Sequence, residues 1–380
     1  MTQLGFLETS THEQVFYYLI RAANASDNEV TVFTTAPIAT EVQDMLGPPD
    51  DDIEWVTIPE NGSIRRLLRI VERHSAGLDA LIVQPLYHNV RDLFYYARFS
   101  PECPTALWLF NINAWLRSRP QLDIGLRRNL RLVLRRYIAN RNDAYLVEYP
   151  SIAAYVREEM EVNAVESFVP TLYEPSGDEE PMAPETDQVR ITIPGNVSPN
   201  RRDYALALDA FERAATPDGS LELRLQGQRV PASDPIYERC KRLRGEGYAV
   251  TWSTEWVPLT EFHDIIAKSD AVLAPLRTSC EVEGITELYG RSKGSGNISD
   301  ALRNGVPILL PESFPVDEVM GDGVRYFDGV ERLTDHLRRL RDDPDERVEF
   351  KSHARAAARE YTLGHQQERF ASVLSELLPQ

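Results

Sequence analysis

A short glycine-rich segment carries the residues best suited to binding a charged ligand. The segment Glu287–Pro311 reads ELYGRSKGSGNISDALRNGVPILLP. Gly290, Gly294 and Gly296 have no Cβ, so the backbone can turn sharply and approach a ligand closely. Helical spacing resumes after Gly296, and a helix N-terminus offers unpaired N–H groups and a partial positive charge to a phosphate. Lys293 adds a mobile cation three residues upstream, and the segment therefore predicts a diphosphate site.

The same turn also has a plain structural explanation. A glycine-rich connection before a helix is often only a tight turn, and the segment contains neither a P-loop nor a G-x-G-x-x-G fingerprint. Its context favours binding, because Gly305-Val306-Pro307 ends the helix and an apolar strand follows. Open α/β sheets bind ligands at the carboxyl ends of their strands, and we expect the turn to lie at such an edge.

Length and composition are typical of a globular protein with two domains. The chain has 380 residues, 42% of them hydrophobic, and no apolar run approaches the ~20 residues that span a bilayer. The N-terminus has no basic stretch followed by an apolar one, so it does not predict a secretory signal. Cys103, Cys240 and Cys280 are scattered without metal-ligand spacing, which is typical of reduced thiols. We therefore expect a cytoplasmic protein.

Charge gives further indications about partners. The formal net charge of −18 leaves no basic excess to displace counterions from phosphates, so we expect no nucleic-acid partner. Only four of the 41 basic residues are lysines, and an acidic composition poor in lysine is typical of halophile proteins. We find no convincing metal cluster, since Asp50–Asp52 follows Gly-Pro-Pro in a loop and is more simply a solvated acidic turn.

Short apolar strands alternate with helical stretches along most of the chain. The first series of predicted strands comprises residues 5–7, 30–34, 53–58, 80–85, 105–111 and 144–148. The second series comprises residues 189–194, 221–225, 248–252, 271–274 and 307–310. Such alternation predicts βαβ units and parallel sheets, so the predicted fold class is α/β, with two Rossmann-like domains facing each other across a cleft.

The domain boundaries follow from one acidic, proline-rich segment. Residues 174–188, EPSGDEEPMAPETDQ, have almost nothing to bury and predict a linker. We therefore expect an N-terminal domain over residues 1–173 and a C-terminal domain over residues 189–360. Residues 361–380 predict a C-terminal helix that packs back on the N-terminal domain.

Three segments of the second half resemble the donor-binding domain of GT-B glycosyltransferases, most closely glycosyltransferase family 4 and its relatives. ITIPGNVSPNRRDYALALDAF looks like the family's strand-glycine-arginine turn, with Gly195 at the glycine, Asn196 in place of the arginine and Arg201 in place of a lysine. WSTEWVPLTEFHDIIAKSDAVLAPL is similar to the family's glycine-aromatic-valine turn and the helix and strand after it. The segment 287–311 is similar to the region with the family's paired glutamates. The first 170 residues match only in element order.

The paired glutamates are not both present in this chain. The position of the second is Asp300, and the position of the first is Ser292. Two alternatives stay open, namely that Glu287 supplies the first carboxylate from a longer loop, or that its role is lost.

The resemblance implies a nucleotide-diphosphate sugar as donor substrate, with no cofactor and no metal ion. It gives catalytic roles to Lys293, Arg201, Glu287 and His12. The implied donor-binding residues are Gly195, Asn196, Arg202, Gly290, Ser295, Gly296, Asn297 and Asp300. Cations and amides would neutralise the charge that develops on the leaving diphosphate, and Asp300 or Glu287 would accept hydrogen bonds from ribose hydroxyls. Asp300 also fits a solvated acid in the first turn of a helix.

Polar residues at the carboxyl ends of N-terminal strands are the candidate acceptor contacts. His12 follows the first strand, His88 the fourth, and Asn111 and Asn113 the fifth. Each histidine also fits a capping or surface role. Family 4 enzymes retain the anomeric configuration with help from the leaving phosphate, whereas an inverting relative would need a base, for which His12 is the first candidate.

The implied activity is transfer of a sugar from a nucleotide-diphosphate sugar to a glycan or a lipid-linked acceptor, such as a polyprenyl-linked one. A sugar-nucleotide epimerase with the same fold is one alternative. A catalytically silent module that only binds nucleotide sugar is another, because the first paired glutamate is missing.

The segment 121–141 holds six arginines and one aspartate. Arg127, Arg131 and Arg135 are four residues apart and share a helix face. The adjacent apolar stripe consists of Leu126, Leu130, Val133 and Tyr137. One interpretation is a basic amphipathic helix that lies on anionic lipid at the inner membrane face. The other is an ordinary helix that packs its apolar stripe on the sheet and leaves the arginines solvated.

Overall fold

The computed structural model describes residues 2–10, 12–25, 28–48, 52–84, 89–120, 125–162, 164–175 and 188–377. The predicted acceptor contact His88 lies outside the described residues. The same holds for Asp50 and Asp51, for residues 121–124, and for most of the predicted linker 174–188.

The N-terminal domain is built on a parallel sheet of seven strands in the order β3-β2-β1-β4-β5-β6-β7. The strands are β1 (Thr2–Leu7), β2 (Asn28–Thr35), β3 (Ile53–Ile58), β4 (Ala80–Val83), β5 (Thr105–Trp108), β6 (Ala144–Val147) and β7 (Val165–Ser167). The strands β4, β5 and β6 are short, mostly apolar and buried at every position, as expected for parallel strands that are covered on both faces.

Helices cover both faces of this sheet. They are α1 (Glu13–Ala23), α2 (Ala36–Leu46), α3 (Ile64–Ser75), α4 (Val90–Tyr96), α5 (Leu126–Ala139) and α6 (Pro150–Glu159), with a π-helical turn at Asn113–Arg117. The helices α3 to α6 share one hydrophobic core, and α1 and α2 share the other. In α3, for example, Leu67, Leu68 and Val71 are buried while the intervening arginines face outward.

The C-terminal domain contains a second parallel sheet of six strands in the order β10-β9-β8-β11-β14-β15. Its strands in chain order are β8 (Val189–Pro194), β9 (Leu221–Gln226), β10 (Ala249–Trp252), β11 (Ala271–Leu273), β12 (Ser279–Val282), β13 (Ile285–Leu288), β14 (Ile308–Pro311) and β15 (Val324–Phe327). The strands β12 and β13 are not part of that sheet and form a separate antiparallel hairpin. The predicted α/β class with two Rossmann-like domains is therefore confirmed.

The remaining helices belong to the second half of the chain. They are α7 (Tyr204–Ala214), α8 (Asp234–Gly245), α9 (Leu259–Ala267), α10 (Gly296–Arg303), α11 (Asp317–Met320), α12 (Val330–Asp342), α13 (Pro344–Arg359) and α14 (Leu363–Leu377). The structure places α14 in the N-terminal core, where Phe370 contacts the rings of Phe6 and Phe168. Within the part of the chain that is described, no helix is long and apolar enough to cross a membrane.

Side chains and main chain connect the two domains directly. Tyr149 Oη donates to the Ser295 carbonyl at 2.8 Å, and Arg303 Nη1 donates to Tyr18 Oη at 2.7 Å. The amide of Ile112 also donates to the carbonyl of Ser292 at 2.9 Å. These bonds fix the glycine-rich segment of one domain against the strand ends of the other.

Candidate active site

A cavity of about 450 Å³ lies between the two domains. Its N-terminal wall consists of residues that follow β1, β5 and β6, namely His12, Val15, Phe110, Asn111 and Glu148. Its C-terminal wall consists of Arg201, Arg202, Leu276, Val282, Tyr289, Lys293, Gly294, Ser295 and Gly296. Both walls are formed by segments after the carboxyl ends of parallel strands, which is where α/β sheets bind ligands.

Lys293 extends from the C-terminal domain to the N-terminal one. Its Nζ donates a hydrogen bond of 2.7 Å to Asn111 Oδ1, and the backbones of the two residues form an isolated antiparallel bridge. Burial lowers the pKa of Lys293, while the nearby carboxyl of Glu148 acts in the opposite direction. The cavity wall therefore carries a partly desolvated cation, whose attraction to a phosphate is stronger than in water.

Gly290 shapes the turn that precedes Lys293. Its φ of +78° lies in the left-handed region, and a Cβ there would lie 2.7 Å from Phe314 Cδ2. Its amide donates to the Lys293 carbonyl at 2.9 Å. The role of Gly290 in the structure is thus to form the turn, since it does not line the cavity.

Glu148 faces Lys293 from the carboxyl end of β6. The residue is 7% exposed, and burial raises the pKa of its carboxyl to about 7, although Lys293 acts to lower it. Among the described residues, no hydrogen-bond donor is found for its side chain. A Cβ added at Gly294 would overlap the Glu148 carboxylate. Gly294 is therefore the residue that allows the carboxyl to sit at this wall.

The N-terminus of α10 forms the part of the site where backbone amides could bind a ligand. Ser295 is the N-cap and its Oγ accepts a hydrogen bond of 3.4 Å from the Asn297 amide. Gly296 is exposed and lines the cavity, and a Cβ there would have no heavy atom within 4 Å. The helix α10 therefore begins at an open position of the cavity wall that also carries Lys293, and helix N-termini are sites that bind anions.

Arg202 connects the Gly195 turn to α10. Its Nη1 donates to the Asn196 carbonyl at 2.9 Å, and its Nη2 donates to Asn297 Oδ1 at 3.0 Å. Gly195 has a φ of +87°, and a Cβ there would lie 2.8 Å from Arg202 Nη2. Arg202 thus links Asn196 to Asn297 and packs closely against Gly195. It also lines the cavity, as does the exposed Arg201.

His12 and Asn111 form the opposite wall. The His12 ring lies 4.7 Å from the Phe110 ring, centroid to centroid, and His12 Nδ1 lies 3.7 Å from Glu8 Oε2. Asn111 is buried and accepts the Lys293 hydrogen bond. Both residues therefore lie within the cavity lining, as does the unpredicted Glu148.

The structure does not bring Glu287 and Asn113 into the cavity lining. The Glu287 carboxylate instead accepts hydrogen bonds from the amides of Asn113 at 3.2 Å and Ala114 at 2.8 Å. Burial raises the pKa of Glu287 to about 7, and these hydrogen bonds oppose that rise. Asn113 Oδ1 accepts from Tyr155 Oη at 2.9 Å. The two residues therefore join β13 to the π-helical turn of the other domain.

Asp300 also lies outside the cavity lining. Burial raises the pKa of its carboxyl to about 7, with Arg202 and Arg303 acting to lower it. This environment differs from that of a solvated acid in a first helical turn, because desolvation dominates over the cationic neighbours. No group of three or more histidine, cysteine, aspartate or glutamate residues with the geometry of a metal site occurs among the described residues.

The residue that sequence analysis missed, Glu148, carries the same signal as those it found. It is a polar residue directly after a buried strand, as Asn111 is, and Ala144–Glu148 had been predicted as a strand. The rule that points to Asn111 therefore points to Glu148 as well.

Comparison with known proteins gives structural matches only. No family model and no curated protein matches the sequence. Anabaena HepE, solved in complex with UDP and glucose, superposes with a TM-score of 0.64 at 14% identity, over 99% of this chain and 100% of that one. The UDP-forming α,α-trehalose-phosphate synthase of Burkholderia vietnamiensis gives a TM-score of 0.60 at 11% identity, over 99% and 100% of the chains.

A third match is an O-GlcNAc transferase mutant from Thermobaculum terrenum, with a TM-score of 0.58 and 16% identity over 98% of this chain and 66% of that one. The three proteins share the two-domain architecture that the resemblance implied, and the identities are low enough that the likeness concerns the fold. The chain therefore has the GT-B fold.

Proposed function

We propose that this protein is a glycosyltransferase that moves a sugar from a nucleotide-diphosphate sugar to an acceptor hydroxyl. The observation that carries the proposal is the position of Lys293 in the interdomain cavity, beside the open N-terminus of α10. The Lys293 cation, the exposed Arg201 and the start of α10 at Ser295 and Gly296 line one space. Such a set matches the charge and shape of a diphosphate.

The chemistry that these residues perform concerns the leaving group. As the bond from the anomeric carbon to the diphosphate oxygen breaks, negative charge grows on that oxygen. Lys293 and Arg201 stabilise the charge, and the Ser295–Asn297 amides donate hydrogen bonds to the phosphate oxygens. Arg202 is a positioning residue, because it fixes the Asn196 carbonyl and the Asn297 side chain against each other. This scheme requires no metal ion.

The acceptor occupies the N-terminal wall in this proposal. Asn111 and Glu148 are placed to contact acceptor or sugar hydroxyls, and His12 closes the wall from β1. We propose a retaining reaction in which the leaving phosphate takes the acceptor proton. The configuration of the product at the anomeric carbon, read from its proton coupling constants, tests this step. An inverted product would require a base, and His12 and Glu148 would be the candidates.

Turnover assays test the proposed function. UDP-, GDP- and ADP-sugars are incubated with panels of glycan and lipid-linked acceptors, and the released nucleoside diphosphate and the sugar product are both measured. We expect transfer with one donor class, and a loss of about 10²-fold or more in Lys293→Ala. Lys268 is exposed at the end of α9, so Lys268→Ala is the matched control and keeps full activity.

Two outcomes would replace the proposal. Inversion of the donor sugar at C2 without transfer would identify a sugar-nucleotide epimerase. Donor binding without turnover across all acceptors would identify a silent nucleotide-sugar-binding module, and unchanged activity in Lys293→Ala would remove Lys293 from the donor site.

A further inference from the structure

The helix α5 exposes its apolar stripe instead of burying it. Leu126, Leu130, Val133 and Tyr137 recur at three- and four-residue spacing and are between 44% and 87% exposed. The buried side of the helix consists of Leu132, Leu134, Arg135, Ile138 and Ala139. The expectation that the stripe packs on the sheet with a solvated arginine face is therefore wrong, because other residues of the helix contact the sheet.

Two of the three arginines predicted to share a solvated face are engaged within the protein. Arg131 Nη1 lies 2.9 Å from Glu283 Oε1, and Arg135 Nη1 lies 2.7 Å from Glu283 Oε2. Arg127 and Arg136 remain exposed. At about 100° per residue they fall on opposite sides of the apolar stripe. The outer surface of α5 thus has an apolar centre with a guanidinium on each side.

Neighbouring helices extend this surface. The helix α4 packs against α5 and exposes Phe94, whose ring lies 3.7 Å from the Arg98 guanidinium carbon. The helix α3 packs against α4, and its four arginines line an open surface depression together with Glu72 and Glu102. We call the outer surface of α3, α4 and α5 the arginine face. Of the six large hydrophobic side chains that are exposed among the described residues, five lie on this face.

The charge of the arginine face is opposite to that of the chain. Seven arginines of α3, α4 and α5 are exposed, whereas the two acids of these helices are the half-buried Glu72 and the buried Asp92. The whole chain has a net charge of −18. Such segregation is a feature of the folded surface, since the acidic residues are concentrated elsewhere.

We propose that the arginine face binds the surface of an anionic lipid bilayer. Apolar side chains in the centre of an outward helix face enter the boundary between headgroups and acyl chains, while the flanking arginines remain at headgroup level. Each guanidinium near an anionic surface contributes about 1 kcal/mol. The apolar residues project from convex helices along about 16 Å of α5 at 1.5 Å per residue. That shape suits a flat layer better than a protein groove.

The arginine face is connected to the cavity by one element. Glu283 lies at the tip of the β12–β13 hairpin and binds α5, whereas its neighbour Val282 at the end of β12 and Tyr289 just after β13 line the cavity. Resting on the proposed function, this connection favours a lipid-linked acceptor over a free glycan. The membrane binding itself does not depend on the reaction.

Vesicle flotation tests the proposal with the full chain. The probes are vesicles of phosphatidylcholine alone and of phosphatidylcholine mixed with phosphatidylglycerol, at low and high salt. One variant removes the stripe with Leu130→Ser, Val133→Ser and Tyr137→Ser, and another removes flanking charge with Arg127→Gln and Arg136→Gln. The matched controls are Trp256→Ser, which removes the exposed aromatic of the other domain, and Arg332→Gln with Arg339→Gln on α12.

We expect the wild type to float with the anionic vesicles only, and less so at high salt. Both arginine-face variants should bind roughly tenfold or more weakly, while both controls bind as the wild type does. Melting temperature and nucleotide-sugar binding are measured for every variant and should be unchanged, so that failure of the membrane proposal is separate from failure of the proposed function.

Two results would overturn the inference. One is absence of flotation of the folded wild type, or equal flotation of all variants. The other is retention on immobilised polyglutamate without vesicle binding, which would assign the arginine face to an acidic protein partner.

Discussion

At the scale of single residues, the cavity wall brings together two groups of opposite charge, one from each domain. Glu148 and Lys293 each lose solvation in the cavity wall, and each shifts the pKa of the other toward its charged form. Because both groups are largely buried, salt screens their interaction less than it screens ion pairs on the surface. Binding of a diphosphate adds negative charge beside Lys293, which favours the lysine cation and disfavours the Glu148 carboxylate.

Nucleotide-sugar binding should therefore be coupled to proton uptake by Glu148. The pKa of Glu148 is about 7 in the free protein, and the nearby diphosphate raises it further. Since the complex holds more protons than the free protein, affinity falls as pH rises through 7. Titration calorimetry from about pH 6.5 to about pH 8.5 should show a ~3–10-fold loss of affinity.

The nucleotide sugar is the right ligand for this measurement, because its diphosphate diester does not titrate in this range. Glu148→Gln should reduce both the proton uptake and the pH dependence. If Glu148→Gln kept the wild-type pH profile, Glu148 would not be the coupled group.

Substitution by alanine should lower the stability of the protein at Gly294 but not at Gly296. Gly294→Ala places its Cβ against the Glu148 carboxylate, so we expect a loss of stability of about 1–3 kcal/mol from overpacking. Gly296→Ala meets no heavy atom within 4 Å and should leave stability within about 0.5 kcal/mol.

Because Gly296 lines the cavity, Gly296→Val should weaken nucleotide-sugar binding while the protein stays folded. Urea unfolding and calorimetry separate the two effects, and unaltered affinity in Gly296→Val would move the donor away from α10.

Sequence reasoning at this scale depends on knowing where a strand ends. Asn111 and His12 follow from polarity next to apolar runs, and the same rule extends to Glu148, whereas Lys293 follows from the glycine-rich turn before a helix. Glu287 could not be placed in this way, since its neighbours are backbone amides 174 positions or so away in the chain. Only the fold brings them together.

At the scale of elements, the β12–β13 hairpin is held by charges on α5. Glu283 has a φ of +51°, a left-handed conformation that costs a residue other than glycine free energy. It sits between Arg131 and Arg135, and the Arg135 side chain is only 4% exposed. The ion pairs and the turn therefore stabilise each other.

Removing Glu283 should destabilise the protein more than removing the pair. Glu283→Ala leaves the buried Arg135 charge without this partner, and we expect a loss of about 1–3 kcal/mol, less than for a fully buried pair because Glu283 is partly exposed. The double variant Glu283→Ala with Arg135→Met should recover part of that loss.

Urea unfolding measures both, with Glu331→Ala as the control. Its ion pair with Arg213 is exposed on both sides, so its removal should leave the free energy of unfolding nearly unchanged. A double variant that is less stable than Glu283→Ala would contradict the assignment of an unpaired buried charge.

Most elements could be predicted from periodicity, and the exceptions have physical causes. The predicted strands 53–58 and 189–194 coincide with β3 and β8, because polar or turn residues clearly bound each of these runs. The hairpin β12–β13 was not predicted, since its short, polar strands are stabilised by contacts with another domain. Periodicity identified the two faces of α5 but could not tell which one meets the sheet, because leucines occur on both.

At the scale of the whole molecule, the domains meet through buried polar contacts. His263 lies between Gln14 at 3.1 Å and Asn304 at 3.2 Å, and burial lowers its pKa to about 3. The imidazole is thus neutral at physiological pH and does not add charge to the interface. These contacts, together with α14 in the N-terminal core, join the two domains in a single arrangement that forms the cavity.

The two-domain α/β architecture could be predicted from strand-helix alternation, whereas the position of the domains could not. Alternation reports local chain behaviour, and the cavity depends on long-range contacts such as Lys293 with Asn111. The structural likeness to GT-B proteins at 11–16% identity shows that chains with few identical residues can share this architecture.

Thermal unfolding with nucleoside diphosphates tests the proposed donor site most directly. UDP, GDP, ADP and their sugar conjugates are titrated into the wild type, Lys293→Ala and Lys268→Ala, at low and molar KCl. A ligand that binds the native state adds about 2.7 kcal/mol of stability at a hundred times its Kd. We expect a rise in Tm with one base class, which is lost in Lys293→Ala and kept in Lys268→Ala. Absence of any rise in the folded wild type, or an equal rise in both variants, would contradict the donor site between the two domains.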